Sequence, residues 1–106
     1  MTRYDLIISI FAHTSESVRR DIHQKINRSL RPGGYFILEA YTPLNVGRGI
    51  GGPQTVDTCM TAHALREELL QLELLRCEEI ERLCQEGLYH KSDKPAAVVQ
   101  CLAVKR

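Results

Sequence analysis

The sequence has little of what marks several common classes of small protein. Its four cysteines (Cys59, Cys77, Cys84 and Cys101) form no CxxC pair and share no zinc-type spacing with histidine, which argues against a metal-stapled module. They read as reduced thiols of a cytoplasmic protein. The net charge is only +1, so no overall field favours nucleic acid or an acidic membrane. The longest nearly apolar run, residues 6–12, is far too short to cross a bilayer. Asp5 interrupts the N-terminal segment and no small-residue cleavage site follows, so no signal-peptide pattern is present. Internal repeats and low-complexity tracts are absent. Glycine and proline are missing from residues 61–86. Without a breaker, pattern alone allows one long helix to Cys84, or a helix to about residue 70 followed by a charged strand over 73–84.

What is present fits one domain. A chain of 106 residues buries a modest core, roughly 65% of the surface its unfolded form exposes. Residues 4–11 read as a strand with apolar side chains on both faces: Leu6, Ile8 and Ile10 on one, Ile7 and Phe11 on the other. Such runs suit parallel strands covered on both sides. Thr14 or Ser15 can cap a following helix. In that helix Val18, Ile22, Ile26 and Leu30 recur every four residues, predicting one buried stripe. Arg19, Arg20, Lys25, Arg28 and Arg31 predict a solvated basic face. Arg31-Pro32-Gly33-Gly34 stops the helix, and residues 35–41 form a second apolar strand. Strand, helix and strand make one right-handed βαβ unit. Residues 42–60 form a long glycine-rich loop, of a kind that tends to carry function. Residues 96–104, almost wholly apolar, read as a strand inside the sheet.

Tyr4-Asp5-Leu6-Ile7-Ile8-Ser9, then about twenty helical residues, then Leu30-Arg31-Pro32-Gly33-Gly34-Tyr35-Phe36-Ile37-Leu38-Glu39 resembles the C-terminal half of class I S-adenosylmethionine-dependent methyltransferases. Glu39-Ala40-Tyr41-Thr42-Pro43, Gly51-Gly52-Pro53, Glu86-Gly87-Leu88-Tyr89-His90 and Ala97-Val98-Val99-Gln100 are similar to a bacterial subgroup near the tellurite-resistance methyltransferases. The resemblance implies an α/β fold: a partial Rossmann-like sheet with strands corresponding to 4-5-7-6, the last two antiparallel, and two main helices. It favours helix then strand for residues 61–84. It also implies that residues 1–106 are a single truncated methyltransferase-like domain. The family's glycine-rich loop after strand one and the acidic residue ending strand two have no counterpart ahead of Tyr4.

The resemblance assigns Ile10, Phe11, Ala12 and His13 to the methionine end of S-adenosylmethionine, and the loop from Tyr41 through Pro53, including Arg48, Gly51 and Gly52, to the methyl acceptor. His13 also lies just past the carboxyl end of a parallel-type strand, where open α/β sheets bind ligands. With a pKa near neutrality it is the candidate general base; the competing reading is a loop histidine bonding to nearby backbone. His90, beside Tyr89 in a turn, is a weaker candidate, and His23 and His63 read as surface or groove residues on helices. Gly47-Arg48-Gly49-Ile50-Gly51-Gly52 formally matches GxGxxG, but no helix pattern follows to hold a phosphate. No metal site is expected.

Three functions follow. The chain is derived from an S-adenosylmethionine-dependent methyltransferase and is not catalytic alone; or it is a non-catalytic homodimeric or partner-binding module; or it is a small nucleotide-binding protein. An apolar first strand with an unpaired edge is an association site. The expected occupant is a second copy, or a separate N-terminal half.

Overall fold

A computed structural model describes residues 4–48, 52, 53, 55–82 and 95–106. The elements are β1 (Tyr4–Ile10), α1 (Glu16–Ser29), β2 (Leu30–Tyr41), α2 (Ala62–Glu68), β3 (Glu73–Arg82) and β4 (Ala96–Val104), with 3-10 turns at Pro43–Asn45 and Val56–Thr58. One four-stranded sheet has the order β1-β2-β4-β3. β1 and β2 run parallel, whereas β4 lies antiparallel to both β2 and β3. This is a mixed α/β fold with two main helices. Among the described residues no helix is long and apolar enough to cross a membrane.

Residues 61–82 resolve as helix then strand. Thr61 Oγ1 accepts the Ala64 N–H at 3.1 Å, capping α2. The helix ends at Glu68 and the chain turns through Leu69–Leu72 without glycine or proline. Charged residues throughout β3 suit its place at a sheet edge.

Both helices pack on one face of the sheet. Phe36, Leu38, Val99, Cys101 and Ala103 meet Ile26, Leu30, Leu65 and Leu69 there, all buried, with Ile7 packed alongside. Each large side chain so buried contributes about 2 kcal/mol. Among the described residues the opposite face is covered near the loop after β2, where Tyr41, Ala96 and Val98 are buried with Phe11 and Ile80 against them.

Four expectations need correction. The first strand is covered on one face only: Leu6, Ile8 and Ile10 remain 51%, 57% and 51% exposed. Apolar residues on both faces of the strand do not by themselves supply a second covering layer. On α1, Ile26 and Leu30 are buried but Val18 and Ile22 are exposed. The buried row runs instead through Arg19, His23, Ile26 and Asn27. Arg19 and His23 therefore leave the surface roles the sequence suggested; Glu68 of α2 draws them inward. Finally, Arg31–Gly34 does end the helix, but it continues as extended chain within β2, with Gly33 at φ 85° and Gly34 so close to the Arg31 carbonyl that a Cβ would sit 2.9 Å from it.

Candidate active site

The carboxyl end of β1 is shaped by Phe11, a non-glycine residue at φ 52°. Its N–H still donates to the Glu39 carbonyl at 2.8 Å, and then the left-handed turn takes the chain out of the sheet. Backbone strain of this kind concentrates at functional sites. The turn leaves the Tyr41 N–H without a strand acceptor, a cost that buried amides do not bear unpaired. His13 Nε2 accepts it at 3.1 Å.

Three rings collect at this turn. Phe11 stacks on Tyr41 with centroids 4.7 Å apart, and His13 stacks on Tyr41 at 5.3 Å. Gly52, at φ +82°, lies against the Tyr41 ring so closely that a Cβ would sit 2.7 Å from Cδ2. Tyr41 is buried and Ala12 exposed. The structure thus brings Phe11, His13, Tyr41 and Gly52 together, with Ile10 at the end of the adjoining strand.

Ile10 borders a hollow of about 320 Å³ on the helix-free face, lined also by Ile37, Glu39, Arg76, Gln100 and Leu102. Its polar wall is Glu39. Arg82 Nε and Nη2 donate to that carboxylate at 2.7 and 2.5 Å, and Gln100 Nε2 at 2.8 Å. Partial burial alone would raise the Glu39 pKa; the hydrogen bonds and the Arg82 charge outweigh it and hold the carboxyl below its ordinary value. Glu39 is therefore a fixed anion, poorly suited to take up a proton. The sequence reading missed it. Its signal was a charged residue inside an otherwise apolar strand.

The loop residues separate into two groups. Arg48 donates to the carbonyls of Leu44 and Pro95 at 2.9 Å each and pairs with Glu81 at 2.5 Å, which ties the loop to the β3 side. Buried Asn45 accepts the Ala97 N–H through Oδ1 at 3.1 Å. Gly51, like Gly49, Tyr89 and His90, lies outside the described residues. The next described helical element after the glycine run is the three-residue turn Val56–Thr58, too short to present a helix N-terminus to a phosphate.

Away from this end, Glu68 receives Arg19 Nη2 at 2.7 Å and contacts His23 Nδ1 at 2.7 Å, while Asn27 donates to its carbonyl at 2.9 Å. Burial pushes the His23 pKa down, although Glu68 opposes the shift. For Glu68, burial is outweighed by hydrogen bonds from Arg19 and His23, and the carboxyl sits low. His63, by contrast, is exposed and pairs with Glu67 on its own helix. Cys77 and Cys101 are opposite one another on β3 and β4, and burial pushes the Cys101 thiol up to about 12, which makes it unreactive. Among the described residues no three His, Cys, Asp or Glu side chains converge as a metal site.

The whole chain superposes on TehB from Haemophilus influenzae with a TM-score of 0.73 at 18% identity, covering 37% of that chain. It also superposes on the N-methyltransferase NodS from Bradyrhizobium japonicum WM9 with a TM-score of 0.56 at 13% identity, covering 53% of that chain. The likeness is one of fold, a methyltransferase fold, and the chain spans between about a third and a half of the length of these two proteins. No family model matches the sequence, and no curated protein matches it.

Proposed function

We propose that this chain supplies one wall of a methyl-transfer site that uses S-adenosylmethionine, and that it does not complete the reaction alone. In this reading β1, β2, β4 and β3 correspond to the fourth, fifth, seventh and sixth strands of a methyltransferase sheet. Ile10, Phe11, Ala12 and His13 then face the donor's methionine end, and the loop carrying Tyr41, Arg48, Gly51 and Gly52 covers the acceptor. The observation that carries the reading is the strained, aromatic-lined turn at Phe11. It lies at the carboxyl end of a parallel strand, where open α/β sheets bind ligands.

The residues present suit such a donor. A sulfonium is a cation, and the partly exposed Phe11 ring, backed by buried Tyr41, is the aromatic surface nearest to it. Glu39, paired with Arg82, lines the adjoining hollow. The donor supplies an activated methyl group; the protein's share is orientation of donor and acceptor. His13 contributes by fixing the Tyr41 backbone. To act as a base at Nε2 it would have to release that N–H. A glycine loop gripping the rest of the donor has no counterpart among the described residues, so the donor is held weakly.

Calorimetry and amide NMR with S-adenosylhomocysteine test this. Binding in the millimolar range, with shifts confined to residues 10–13 and 41–53, is the expected result. Micromolar affinity would overturn the proposed incompleteness. Absence of shifts at these residues, or saturable binding of a mononucleotide instead, would overturn the site.

A further inference from the structure

The two edges of this sheet are treated differently by the sequence. β3 has six charged residues among ten, which discourage strand addition; a register irregularity occurs on both edges, between Leu74 and Arg76 and between Tyr4 and Leu6. β1 has one charged residue, Asp5, and no proline. Phe11 donates its N–H toward β2. Peptide groups alternate along a strand, so those of Ile7 and Ser9 also face β2, and those of Leu6, Ile8 and Ile10 face the open edge.

These three residues are spaced evenly about Ile8. A two-fold axis there would set Ile8 against Ile8 of a second copy and Leu6 against Ile10. In that antiparallel register each facing pair exchanges two N–H···O bonds, six in all. The same residues present half-exposed apolar side chains on one face, which become cross-strand neighbours.

α1 supplies an independent observation. Arg19, His23 and Asn27 point toward α2 through Glu68. Val18 and Ile22 lie on the helix flank away from α2, and are 47% and 42% exposed. Since α2 packs on β3 and β4 while α1 packs on β2 and α2, that flank faces the β1 side of the helix layer. Pairing two β1 strands about a two-fold axis normal to the sheet would put both α1 helices on the same face, with Val18 and Ile22 on their facing sides.

We propose that β1 is the interface of an isologous dimer, formed by β1–β1 pairing about Ile8 and closed on the helix side by Val18 and Ile22. The proposal stands apart from the methyl-transfer reading. The five apolar side chains offer roughly 500 Å² per copy, near the lower limit for a specific interface, so association falls in about the micromolar range. Tyr35 and Ile37, on the helix-free face, are not covered by this contact.

Sedimentation equilibrium from about 1 µM to about 200 µM, bracketing that range, tests it with three variants. Wild type should pass from one chain mass to twice that mass. Ile8→Lys and Ile8→Glu should each stay monomeric with unchanged circular dichroism, because Ile8 is half-exposed, and an equimolar mixture should recover the dimer. Val18→Glu/Ile22→Glu should weaken association at least tenfold without touching β1. A wild type that stays monomeric throughout, an Ile8→Lys chain that still dimerises, or a mixture that fails to pair would overturn the proposal.

Discussion

His13 Nε2 accepts the main-chain N–H of Tyr41 at 3.1 Å. The neutral ring that does this carries its proton on Nδ1. The imidazole therefore serves first as a substitute for the strand residue that the Phe11 turn removes. His13→Ala should cost about 1–2 kcal/mol, the penalty for stranding that amide, read from urea unfolding. Nitrogen-15 NMR at neutral pH should show the Nδ1–H tautomer. An Nε2–H tautomer would contradict the contact.

The seat of the loop on Tyr41 separates two glycines with similar backbone. Gly47 (φ +88°) has open space where a Cβ would go, while Gly52 (φ +82°) has the Tyr41 ring. Gly47→Ala should lose only the left-handed backbone term, about 1 kcal/mol. Gly52→Ala adds a clash with a buried ring and should lose about 2–3 kcal/mol. Equal losses in chemical denaturation would mean that the loop does not rest on Tyr41.

The Arg19–Glu68 pair joins α1 to α2 in the interior, with side chains 7% and 4% exposed. Glu68→Gln leaves the buried guanidinium without a counter-charge and should cost about 3–5 kcal/mol. A chain of this size has total stability of about 5–15 kcal/mol, so the variant should show a large fall in urea midpoint. A shift of under 1 kcal/mol would place the pair in contact with water.

The same cluster makes stability fall in acid. The His23 pKa is lowered by burial, so the unfolded chain binds its proton more readily. Its contribution is fully present above pH 6.5 and is lost as pH drops through the folded value. Glu68 is also lowered, and its contribution is lost below pH 4.5, as the carboxylate protonates. Wild type should therefore melt lower at pH 5.5 than at pH 7.5, and His23→Gln should flatten that difference. A His23→Gln profile as steep as wild type would assign the acid loss elsewhere.

Strand content was readable because β4, flanked by β2 and β3, is apolar at nearly every position, and because β3 is charged like an edge. The end of α2 was harder. Leu69 to Leu72 hold the turn by tertiary burial of Leu69 and Leu72, not by a breaker residue. On α1, two rows have helical spacing, Val18-Ile22-Ile26 and Arg19-His23-Asn27. Only the position of Glu68, 45 residues after His23, decides which one turns inward. That residues 11–13 follow one strand and that Tyr41 ends another was legible. The φ of Phe11 was not, since nothing in a phenylalanine signals a left-handed turn. Nor was the grip of Arg82 and Gln100 on Glu39, which depends on strand register.

Amide hydrogen exchange along β1 addresses the central claim, that this strand is an open parallel edge. In dilute solution Ile7, Ser9 and Phe11, bonded to β2, should be protected, and Leu6, Ile8 and Ile10 should exchange fast. Raising the concentration should protect the second set. Uniform protection of all six amides in the dilute monomer, or fast exchange of all six, would contradict the account.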